Sequence, residues 1–75
     1  MTEIDFQKYQ NIFKEKITDI DLIDNLDGKF VSRIFEKIGD DIPTNILSHL
    51  IVYNKHMVDE NYNAALDFKS RIMIR

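Results

Sequence analysis

Apolar residues recur along most of this chain at intervals of three and four, the period of a helix with one buried face, and sustained period-two alternation with Gly-rich turns is missing. Thr2, followed three residues later by Asp5, reads as a helix start, and Phe6, Tyr9, Phe13 and Ile17 then share a face, predicting a helix over about residues 3–17. Thr18, Asp19 and Asp21 form a second cap signal, so Ile20, Leu22, Ile23 and Leu26 predict a short helix near residues 19–26, ending at Asp27-Gly28. From Lys29, the residues Phe30, Val31, Ile34, Phe35 and Ile38 make one broad apolar stripe, with Gly39 placed where a helix end favours positive φ.

Asp40-Asp41-Ile42-Pro43-Thr44 reads as a turn, with Pro43 suited to the first turn of the next helix because the amide hydrogen it lacks would be unbonded there. That helix should turn Ile46, Leu47, Leu50, Ile51, Met57 and Val58 inward. Asp59-Glu60-Asn61 interrupts it, and Tyr62, Ala65, Leu66, Phe68, Ile72 and Met73 resume a helical period. Two helices joined so tightly must lie antiparallel. The expected fold is all-α: a small four-helix bundle with an extra short helix near residues 19–26, forming a single helical domain over residues 1–75.

Composition agrees with that pattern. A chain of 75 residues buries only about 60 per cent of its unfolded surface and has material for one core. With 44% apolar residues, five Phe and three Tyr, it is too hydrophobic to stay disordered at so modest a charge. Cysteine is absent, which removes disulfides, thiolate metal sites and cysteine nucleophiles together and points to the cytoplasm. MTEIDFQKYQ lacks the apolar run of a signal peptide, and no stretch approaches the ~18 apolar residues of a membrane span, so neither export nor a membrane anchor is expected.

The net charge of −3 is uneven. Residues 1–42 hold ten acids against six bases, whereas residues 43–75 hold three acids against Lys55, Lys69, Arg71 and Arg75. An acidic chain is a poor prior for tight nucleic-acid binding, which comes mainly from neutralised phosphates, yet a local basic face can serve.

Candidate chemistry is sparse. Asp19, Asp21, Asp24 and Asp27 precede a glycine as in a Ca²⁺ loop, but that register puts Ile23 and Ile34 in ligand positions, leaving solvated and capping carboxylates as the simpler reading. His49 and His56 are seven apart, two helical turns, too far for one ion. Ser32, Ser48 and Ser70 have no activating motif, and two glycines make no phosphate loop. The expectation is therefore no enzyme, no metal, no cofactor and no small-molecule substrate. Lys29, Arg33 and Lys37, spaced by four, stack three cations beside the apolar stripe of one helix, and Lys69, Arg71 and Arg75 cluster near the C-terminus. Both groups suit phosphate contacts, and both also suit an ordinary polar face or a helix C-terminus.

Residues MVDENYNAALDFKSRIM resemble the UvrB/UvrC-type helical hairpin: Tyr62, Ala64, Ala65, Phe68, Lys69, Arg71 and Ile72 stand in its places over about residues 50–73, although Lys69-Ser70 replaces the usual Arg-Asp pair. In helix pattern, size and lysine- and isoleucine-rich character, the whole chain is similar to the short proteins encoded directly after the UvsW recombination helicase in T-even-type phages. That resemblance implies a helical module like the nucleic-acid-binding domain at the C-terminus of RecQ helicases, working in the host cytoplasm beside a recombination and repair helicase. Single-stranded or branched DNA would then meet Lys29, Arg33, Lys37, Lys55, Lys69, Arg71 and Arg75. Two alternatives stay open: a protein-docking module using exposed parts of Tyr53, Tyr62, Phe68 or Met73-Ile74, of which Tyr62 and Phe68 read first as core, and an acidic nucleic-acid mimic.

Overall fold

The computed structural model describes residues 3–18 and 28–74. Four helices make up nearly all of it, α1 (Glu3–Lys16), α2 (Gly28–Ile38), α3 (Thr44–Val58) and α4 (Tyr62–Ile74), and no strand occurs among the described residues. The all-α bundle expected from the periodicity is the fold observed. The Thr2 cap, the short helix near residues 19–26, its four aspartates and Arg75 lie outside the described residues.

Helix α1 ends one residue before the expected boundary, although the Ile17 amide still donates to the Phe13 carbonyl at 2.8 Å. Its inner face is the expected one, with Phe6, Phe13 and Ile17 buried and Tyr9 half-buried. In the middle of that face sits Gln10, a buried polar residue that periodicity alone passes over. It meets Asn54 of α3 in a reciprocal amide pair: Gln10 Nε2 donates to Asn54 Oδ1 at 2.8 Å, and Asn54 Nδ2 donates to Gln10 Oε1 at 3.1 Å and to the Leu50 carbonyl at 2.8 Å. Two amides that would each be costly to bury alone satisfy one another, and the pair fixes the register of α1 on α3.

Helix α2 buries Phe30, Ile34 and Ile38 and half-buries Val31 and Phe35. It stops at Gly39, whose amide still donates to the Phe35 carbonyl at 3.0 Å and whose φ of 59° turns the following chain out of the helix. Ile42 enters the core immediately afterwards. Pro43 stands one residue earlier than expected, as the cap of α3 and not in its first turn: its ψ of 141° is non-helical, while its carbonyl already accepts from Ile46 at 3.0 Å and Leu47 at 2.8 Å. The ring also holds Ile42 away from helical torsions, which keeps α2 and α3 separate.

Helix α3 supplies the centre of the core through Ile46, Leu47, Leu50 and Ile51, and its closest backbone neighbour is α4, which contributes Ala65 and Ile72. One core cluster joins side chains from all four helices. Two inward readings from the sequence, Met57 and Tyr62, are wrong, and Leu66 of the last apolar period is exposed as well. Met57 is 40% exposed, on the rim of a half-open pocket of about 230 Å³ that α1 and α3 line together. Tyr62 and Leu66 are exposed because α4 turns Ala65 and Ile72, two turns apart, toward the core; the small Ala65 brings the helices close and leaves its larger neighbours on the flank.

Candidate nucleic-acid interface

Six of the seven candidate cations fall among the described residues, and they divide into two kinds. Lys29, Arg33 and Lys37 are all exposed along one row of α2, as their spacing of four requires. No carboxylate pairs with them among the described residues, although Glu36 is exposed nearby on the same helix. Gly28, Lys29, Ser32 and Arg33 line a shallow depression at the start of α2, where the first turn carries no acid.

The other three are engaged within the protein. Lys55 holds both carboxylate oxygens of Asp59, at 2.9 and 2.8 Å, across one turn of α3. Arg71 pairs with Asp67 at 3.0 Å while its guanidinium lies 4.8 Å from the centre of the Phe68 ring. Lys69 reaches across to α1, its ammonium 5.0 Å from the centre of the Phe6 ring. The structure therefore keeps one cationic row open and joins Lys55, Lys69 and Arg71 to α1, α3 and α4 themselves.

His49 and His56, to which their spacing assigned no role, are gathered by the fold around one ring. Phe68 lies between them, at 6.0 Å from His49 and 5.5 Å from His56. His49 Nδ1 is 2.9 Å from the Asn45 carbonyl, so that nitrogen carries the proton and donates. The signal for this arrangement was their spacing of seven, which sets both on the side of α3 facing an aromatic of α4. Among the described residues, no group of three or more His, Cys, Asp or Glu side chains is placed to hold a metal ion. Ser32 and Ser48 donate to the carbonyls of Gly28 and Thr44, both at 2.9 Å. No helix among them is long and apolar enough to cross a membrane. No protein-family model matches this chain, nor does any curated protein or solved structure.

Proposed function

We propose that the protein is an accessory nucleic-acid-binding module that holds the phosphate backbone of DNA on α2, beside a helicase engaged in recombination or repair. The observation that carries this reading is the row Lys29, Arg33 and Lys37: exposed, evenly spaced and without carboxylate partners among the described residues. The likeness to the short phage proteins encoded after a recombination helicase supports the setting. Three cations on a chain of net charge −3 make a weak, salt-sensitive contact that follows backbone shape and reads few bases. Lys55, Lys69 and Arg71 contribute less, because each would first have to leave a contact it already makes.

Amide shifts of the labelled chain, recorded with single-stranded, duplex and branched DNA at low and physiological salt, test this directly. Shifts should centre on α2. If three phosphates are neutralised, affinity should fall about 20- to 40-fold between roughly 50 and 200 mM salt. Replacing Lys29, Arg33 and Lys37 together by Gln should abolish the shifts, and Lys55→Gln should leave them within about twofold, the size of a surface pair. A spectrum unchanged by every DNA at low salt would refute the proposal.

A further inference from the structure

Three features that the bundle does not need for its own stability fall within eleven residues at the turn between α3 and α4. The first is apolar: Met57, Tyr62 and Leu66 are 40%, 54% and 59% exposed, the last two one turn apart on α4. A domain this small has little apolar side chain to spare from its core. The second lies in the backbone. Glu60 holds φ at 59°, and its amide and that of Asn61 donate back to the Met57 and His56 carbonyls at 3.1 and 2.8 Å. This is the Schellman way of ending a helix, in which glycine usually occupies the left-handed position and any other L residue costs about 1–2 kcal/mol. The third is charge: residues 57–67 contain Asp59, Glu60 and Asp67 and no base. Lys55 neutralises Asp59 and Arg71 neutralises Asp67, whereas Glu60 has no cation among the described residues.

We propose that this turn is a docking surface for a basic amphipathic helix of another protein. The apolar row of that helix lies on Met57, Tyr62 and Leu66, and a lysine or arginine beside the row meets the Glu60 carboxylate, which the strained turn presents at the tip of the hairpin. Met57 also borders the half-open pocket of about 230 Å³, together with Phe13, Lys14, Ile17, Tyr53 and Val58. One large apolar side chain of the incoming helix fills it as an anchor. Charge selects this occupant over the others. A nucleic acid would bring phosphates against the Glu60 carboxylate, whereas a lysine or arginine of an incoming helix would pair with it. The surface lies outside the cationic row of α2, so it stands or falls independently of DNA binding.

The labelled full chain can be titrated with a synthetic helical peptide of leucine and lysine, its leucines at i, i+3, i+4 and i+7, beside a leucine–glutamate peptide of the same pattern and a scrambled leucine–lysine peptide. Amide shifts centred on residues 57–66 with the first peptide alone are the expected result. Tyr62→Ala and Leu66→Ala should each weaken binding about tenfold or more, and Glu60→Gln about threefold, with the far-UV spectrum of each variant unchanged. The proposal is overturned by shifts that miss residues 57–66, by no binding at all, by equal binding of the glutamate peptide, or by indifference to Glu60→Gln. Concentration-dependent shifts of the same amides without peptide would assign the surface to self-association, and movement of them by an oligonucleotide would assign it to DNA; either overturns it too.

Discussion

Between α2 and α3 and again between α3 and α4 the chain changes direction, and both of these reversals of the helical path pass through a residue with φ at 59°. At the first that residue is glycine; at the second it is Glu60. The surroundings differ as much as the residues do. After Gly39 the chain sends Ile42 straight into the core, caps α3 with Pro43, and ties Asp41 to Lys16 at the end of α1. After Glu60 nothing enters the core until Ala65, and Met57 and Tyr62 on either side of the turn remain in water. The first reversal is held by tertiary contacts and uses the residue with least backbone strain. The second is held by local hydrogen bonds that leave its side chains unused by the fold, which is why its strained glutamate and exposed apolar residues call for a role outside it.

Removing the core anchor of the first reversal should break the comparison most strongly. Ile42→Ala should cost about 2–5 kcal/mol, a large share of the roughly 4–11 kcal/mol that a chain of this length commands, and a denaturation midpoint would register it. The matching truncation at the second reversal, Tyr62→Ala, should stay within about 0.5 kcal/mol because the side chain is mostly in water.

The two left-handed residues sharpen the contrast at the next level. An added Cβ at Gly39 meets nothing within 4 Å, so Gly39→Ala tests torsion alone. The left-handed penalty of about 1–2 kcal/mol, less the entropy that glycine loses on folding, leaves a net loss of about 0.5–1 kcal/mol. Glu60→Gly should gain a similar amount, which thermal unfolding would report as a rise of several degrees for a domain this size. Equal effects of opposite sign would show that both turns carry the same backbone cost. A loss on Glu60→Gly would show that the carboxylate stabilises the turn itself and weaken the case that it serves a partner.

The smallest effect belongs to the charges. Asp41→Asn removes the pair with Lys16, in which both side chains are well exposed, and should cost only a few tenths of a kcal/mol, diminishing as salt is raised in the same unfolding experiment.

The helices were legible because their evidence is local. The stripe from Phe30 to Ile38, the stop at Gly39 and the break at Asp59-Glu60-Asn61 each need only neighbours along the chain, and the boundaries of α1 to α4 follow within about two residues. The α2 cations were legible for the same reason: a spacing of four puts Lys29, Arg33 and Lys37 in a row wherever the helix is placed. The fates of Lys55, Lys69 and Arg71 were less so. The carboxylates four residues from Lys55 and Arg71 are visible in the sequence, but Lys69 over Phe6 depends on how α4 crosses α1.

By itself, then, the pattern of apolar and polar residues determined that this chain is helical, where its helices break and which cations line α2, because hydrophobic period, capping and i, i+4 spacing act within a few turns. Only the tertiary structure decided that Gln10 and Asn54 are buried as a pair, that two histidines flank Phe68, and that Met57, Tyr62 and Leu66 face water. Those outcomes depend on which helix covers which face and how far along it, and a periodic stripe says that a face is apolar without saying where its cover ends.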